Sequence, residues 1–248
     1  MRALRAWDVA FAVVVAVHLA AQAVDSRVLA DGTQVLLVPA LAGAVWSRSG
    51  LPHRSAALRA YAGGLVFSWI GDAAPRVLEG DAGFVAMVSA FLVAQVCFLA
   101  TFLLLSRRRP SLGVIVGYLA GFVALFAACA SGAGTLLPLV AVYGIVLVAV
   151  ASTATTVSRR VGLGGVLFFF SDSLIALESF SSWYETPLHD VLVMTTYIAA
   201  QILFATGLLG RWRADQRAAS SQPSPATGAS STRPDPSRRS SSSGSSTG

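Results

Sequence analysis

The sequence predicts an all-α, polytopic membrane protein of eight transmembrane helices with the N- and C-termini in the cytoplasm. Three observations lead there. Of 248 residues, 55% are hydrophobic and 12% charged, about half the charge share of an ordinary soluble domain. The apolar residues gather into eight runs, most of them long enough to cross a bilayer. The arginines cluster in alternate connections between those runs, as the positive-inside rule requires.

In order, the runs cover 7–24, 33–47, 60–78, 83–105, 111–130, 135–157, 161–180 and 188–210. The second is short and contains Pro39, which predicts a tilted, kinked or partly re-entrant segment. All 18 basic residues are Arg. With the N-terminus inside, 16 of them fall in cytoplasmic segments, and only Arg27 and Arg76 fall on the other side. A wrong number of spans would scramble that pattern. The formal charge of +6 is thus a topology signal, and no nucleic-acid partner is implied. MRALR followed by an apolar stretch resembles a signal peptide with a cleavage site after Ala23; Asp8 at the start of the run weighs against it, and a retained first helix fits the even count. Residues 211–248 are rich in Ser, Pro and Arg and read as a disordered cytoplasmic tail behind a transmembrane domain of residues 1–210. Cys97 and Cys129 lie inside apolar runs and read as small packing residues.

The sharpest feature is a pair of acids inside the runs. GGLVFSWIGD ends on Asp72, and one hundred residues later GGVLFFFSD ends on Asp172; Gly64 and Val66 align with Gly164 and Val166. An Asp at a helix centre costs roughly 2.5–3.5 kcal/mol on insertion scales, which points to a polar partner or a job for the carboxylate. Asp72 lies 13 residues after Arg59, and Asp172 lies 12 after Arg160. At 1.5 Å per residue both sit about 18–20 Å above their cytoplasmic flank, so the two acids share a depth. Tyr143, Tyr197 and Ser171 fall near that level, with Ser68 a turn away and Gln95 and Gln201 deeper. Together they are candidates to line a polar cavity open to the outer leaflet.

Each has a plainer reading. Arg76, four residues after Asp72, is placed to neutralise it, with Pro75 between them disturbing that geometry. Asp172 also reads as a structural acid bonded to a neighbouring helix. Helix–helix hydrogen bonding serves as well for Tyr143, Tyr197, Gln95 and Gln201. Ser68 bonds its own helix backbone, and His18 packs in the interior. His53 lies in a solvated cytoplasmic loop. His189 and Asp190 open the eighth helix, where an acid suits the N-terminus. There is no phosphate-cradling Gly-rich loop, no HExxH, no Cys pair at metal spacing and no nucleophile elbow. No metal or cofactor is expected, which leaves carboxylate acid–base chemistry with Tyr and Gln as orienting groups.

FSWIGD, GFVAMVSAFLVAQVCFLATF, VYGIVLVAV, GGVLFFFSDSLIALESF and TTYIAAQILFATG, in this order and spacing, resemble the YhhN family, the lysoplasmalogenase-like membrane proteins. The resemblance covers residues 60–210, and the first two helices weakly. It implies an eight-helix fold and hydrolysis of the vinyl-ether bond of lysoplasmalogens to a fatty aldehyde and a glycerophospho-base. It carries the family's acidic positions onto Asp72 and Asp172, without deciding which is the acid. Two stretches depart from the family pattern. Gln95 and Phe98 stand where members commonly show His and Tyr, and Val38-Pro39 where Lys-Pro is common, which bears on proton transfer and phosphate binding.

The leading expectation is a membrane-embedded hydrolase with Asp72 and Asp172 catalytic and with Gln95, Tyr143, Ser171, Tyr197 and Gln201 binding substrate. Its partner is a lysophospholipid or other single-chain amphiphile entering sideways from membrane lipid, and its place is the bacterial plasma membrane. The alternatives are a small proton-coupled transporter, which the near-repeat of the third and seventh helices would suit, and a non-catalytic lipid-binding protein.

Overall fold

The computed structural model describes residues 6–49 and 55–221. His53, the outlying Arg2, Arg5, Arg54, Arg233, Arg238 and Arg239, and the tail beyond 221 lie outside the described residues. Among the described residues, eight α-helices run α1 (Ala6–Ala23), α2 (Arg27–Ser49), α3 (Ala56–Val77), α4 (Gly80–Leu105), α5 (Leu112–Ala133), α6 (Leu137–Val157), α7 (Arg159–Phe180) and α8 (His189–Ser220), with a 3-10 turn at Gly134–Leu136. Among the described residues, six helical stretches are long and apolar enough to cross a membrane. One of them, Leu112–Val157, is 46 residues long and folds as the α5–α6 hairpin, with the Phe122 ring seated against Gly144. α3, which carries Arg59, Asp72 and Arg76, is not among the six.

Local sequence explains the starts of several helices. Ser55, Ser111 and Ser158 accept from the backbone N–H of Leu58, Val114 and Val161 at 3.5, 3.4 and 3.3 Å. Each hydroxyl satisfies a donor that the first helical turn leaves without a partner. All three serines sit beside arginines, so the same short connections cap a helix and carry the charge.

Two of the sequence expectations change. α2 is one continuous helix through Pro39 and begins six residues before the apolar run at Thr33. Trp69 of α3 donates to the Val35 carbonyl at 3.0 Å, and Val35 is the residue four before Pro39, whose carbonyl the proline ring leaves without its helical donor. α8 continues to Ser220, so the first ten residues of the expected tail are helical. Alanine, arginine and glutamine favour helix there, Arg211 pairs with Asp215 at 3.4 Å, and Trp212 is buried edge-on against Tyr61, centroids 6.1 Å apart.

α3 packs most extensively on α4 and α7 on α8, while α6 bridges α4 and α7. The two pairs meet in an aromatic cluster: Phe98, Phe102, Phe168 and Phe204 are wholly buried, with centroids 5.3–6.2 Å apart. α1 closes on α2 and α8. His18 is the packed interior histidine expected, its Nδ1 3.0 Å from the Thr33 hydroxyl, and Arg48 donates to Asp8. Valines, leucines and isoleucines cover the outside, Val116, Val123 and Ile145 among them, each more than half exposed. Such a surface suits lipid.

Candidate active site

The two GG–x–D stretches build matching halves. A Cβ on Gly64 would collide with the Phe98 ring of α4, and one on Gly164 with the Phe204 ring of α8. These contacts let each helix lie close to its partner. About two turns further along, Asp72 on α3 and Asp172 on α7 are buried in the bundle, 4% and 9% exposed. The following helices repeat as well: Phe91, Gln95 and Phe98 of α4 correspond to Tyr197, Gln201 and Phe204 of α8, each 106 residues apart.

The acids are held by different partners. Asp172 Oδ2 accepts from Tyr143 Oη at 2.6 Å and from Gln95 Nε2 at 3.1 Å. Asp72 accepts from Tyr197 Oη on Oδ2 at 3.1 Å and from Gln34 Nε2 on Oδ1 at 3.3 Å. Each carboxylate thus has two neutral donors, one tyrosine and one amide, which satisfies acceptors that hydrocarbon could not. Arg76 does not pair with the Asp72 carboxylate. Its guanidinium donates to the Asp72 backbone carbonyl, to Gln34 Oε1 at 2.6 Å, and to Asp31 Oδ1 at 3.1 Å as an ion pair. Gln34 therefore ties Arg76 to Asp72.

Three cavities adjoin one another, and two of them reach the acids. A small one of about 70 Å³ is lined by both Asp72 and Asp172, with Gln34, Arg76, Ser171 and Tyr197. A second, almost wholly apolar, lies among α4–α7 and reaches Asp172 and Tyr143, walled by Phe84, Phe122, Phe126 and Phe169. A third, of about 390 Å³, is a polar vestibule at the end where α1 meets α2 and α8 begins; it shares Gln34 and Arg76 with the first. The acids stand between an apolar slot and a polar mouth.

Of the residues singled out from sequence, Asp72, Asp172, Tyr143, Tyr197 and Ser171 line these spaces. Ser171 donates to the Val193 carbonyl at 3.1 Å, tying α7 to α8. Gln95 is wholly buried behind Asp172. Gln201, 2% exposed, stands behind Tyr197 away from the small cavity. Sequence reading missed Gln34 and Asp31. Their one signal was position: both precede the second apolar run or open it, on the side that holds Arg76. Among the described residues no group of three or more His, Cys, Asp or Glu stands close enough to hold a metal ion.

Several helices long and apolar enough to cross a membrane, packed around two tyrosine-held carboxylates that line one cavity, mark a multi-pass membrane protein. The model of the YhhN family matches residues 29–208, from α2 through most of α8, and the chain belongs to that family. The human "Lysoplasmalogenase TMEM86B" is 30% identical to it over 174 residues, 70% of this chain and 73% of that protein. The rat protein of the same name is 37% identical over 70 residues, 28% of this chain and 29% of its own length. No solved structure matches.

Proposed function

We propose that this protein is a membrane-embedded hydrolase of the lysoplasmalogenase type, cleaving the vinyl-ether bond of a single-chain lipid. The observation that carries this reading is the small cavity shared by Asp72 and Asp172, with an apolar slot on the Asp172 side and a polar mouth on the Asp72 side. About 70 Å³ has room for a few water molecules at roughly 10–15 Å³ each. The named relatives support the reaction class.

The chemistry follows from where the chain would lie. With the alkenyl chain in the slot, Asp172 faces the enol-ether carbon that must be protonated, the one not bonded to oxygen. Asp172 gives its proton there and a C–H bond forms. The resulting oxocarbenium ion lies between two carboxylates that stabilise it. Asp72, on the wet side, takes a proton from water as the water adds to the oxygen-bearing carbon. The hemiacetal then collapses: its hydroxyl proton returns to Asp172, Asp72 protonates the leaving oxygen, and aldehyde and glycerophospho-base separate. Vinyl ether plus water equals aldehyde plus alcohol, and both acids end as they began. Tyr143 and Gln95 fix the orientation of Asp172, and Tyr197 and Gln34 that of Asp72. Gln95 acts as an amide donor, so the chemistry needs no titratable side chain at that position.

The same reading takes all eight helices as spans, with both ends cytoplasmic, and the vestibule opening on the opposite side. The test is aldehyde release from a synthetic lysoplasmalogen by purified wild type, Asp72→Asn and Asp172→Asn. Release by the wild type and its loss in both folded variants is expected; no release from folded wild type would sink the assignment.

A further inference from the structure

The vestibule carries charges that the two-acid chemistry does not use. Arg27, Arg76, Asp25, Asp31 and Asp190 line it together. Asp31 is taken by Arg76 at 3.1 Å. Among the described residues Arg27, Asp25 and Asp190 have no ion-pair partner. They come from three places: Arg27 opens α2, Asp25 sits in the left-handed turn before it (φ 52°), and Asp190 lies in the first turn of α8. One unpaired cation lining the same cavity as two unpaired carboxylates is a poor match for a bare anion. It fits a ligand that presents both signs a few ångströms apart. The wall of this cavity continues into the small one through Gln34, Arg76, Met87, Ile175, Val193 and Met194, so a ligand seated in the vestibule can extend to the acids.

We infer that the vestibule is a head-group subsite for a zwitterionic phosphoester, with Arg27 on the phosphate and Asp25 and Asp190 on the ammonium. Guanidinium suits phosphate because its planar donors match two oxygens at once. The two aspartates reject a head group that is only negative, so the subsite selects as well as binds. A single lipid would then thread all three cavities: head group in the vestibule, vinyl ether beside the acids, chain in the apolar slot. As a substrate subsite this rests on the hydrolase reading; as a binding site it stands without it.

Two measurements on the full chain test it. The first compares kcat/KM for 1-alkenyl-glycerophosphocholine with that for 1-alkenyl-glycerol, which lacks the phosphate and the ammonium. The ratio is expected to fall about tenfold in Arg27→Gln and in the double variant Asp25→Asn/Asp190→Asn, the scale for loss of a charge-assisted contact in a partly wet site. With 1-alkenyl-glycerophosphate, which keeps the phosphate alone, the double variant is expected to gain relative to wild type. Unchanged ratios in every variant overturn the subsite while leaving the hydrolase standing. The second is calorimetric titration with glycerophosphocholine, which has the head group and no chain and needs no turnover. Saturable binding by wild type, lost in Arg27→Gln, supports the subsite even if neither vinyl ether is cleaved. No binding, or inorganic phosphate binding equally well, overturns it.

Discussion

Asp172 and Asp72 differ in surroundings more than in burial, and that difference predicts different mutant behaviour. Asp172 touches the apolar slot and is held by Tyr143 at 2.6 Å. On the proposed mechanism, replacing it with Asn keeps the shape and removes the proton donor, so kcat should fall about 10²–10⁴-fold, the usual reach of general acid catalysis. In D2O the wild-type aldehyde should carry one deuterium on the carbon next to the carbonyl, read by mass spectrometry after reduction to the alcohol. Aldehyde formed without that deuterium would rule out protonation at carbon. Tyr143→Phe removes one hydrogen bond to a carboxylate and should lower kcat/KM about tenfold or more, with the larger share in kcat because Asp172 is disoriented rather than lost. The acids were legible in the sequence because a carboxylate in an apolar run is costly wherever the helix packs. Gln34 was not. Its role depends on α2 lying beside α3 so that one amide reaches both Arg76 and Asp72, and no local pattern carries that contact.

At the scale of elements, the two halves depend on glycines that admit rings. Gly164→Val would drive Cβ and its methyls into Phe204 and the Ala200 carbonyl. Overpacking of this kind costs typically 1–3 kcal/mol, so a thermal shift of the purified protein should show a clear drop in Tm, and Gly64→Val a similar one against Phe98. If either variant melts with the wild type, the close approach is not needed. The repeat of GG–x–D was visible in the one-dimensional sequence. Its continuation into Phe91–Gln95–Phe98 and Tyr197–Gln201–Phe204 becomes plain only when the rings are seen to fill the gaps left by the glycines. The end of α8 was the least legible boundary. Its last ten residues look like the start of the Ser- and Pro-rich tail, while Trp212, 3% exposed, anchors them to Tyr61. Truncating that anchor in Trp212→Ala should cost about 3–5 kcal/mol, measurable by the same melting experiment.

For the whole molecule, the order of the helices followed from apolar runs alone, since each run became one helix with shifted edges. α3 is the instructive case: its charges keep it from standing out as a span, and its place in the bundle comes from the partners those charges find. The eight-span reading predicts that single cysteines placed in the connections before α3, α5 and α7 react only with membrane-permeant thiol reagents in intact cells, while one beside Arg27 reacts with impermeant ones. The opposite pattern at any of these sites would change the topology. The aromatic cluster of Phe98, Phe102, Phe168 and Phe204 has its own consequence for the membrane around the protein. Its rings pack against α3 and α7 about one to two turns before the acids, so on the proposed topology it would be an insulator: water admitted from the vestibule would meet a dry barrier of rings before it could reach the other face. Proteoliposomes carrying this protein should therefore hold an imposed pH gradient as long as empty ones do, with lipid substrate present or absent; a faster decay would mean that protons pass the rings.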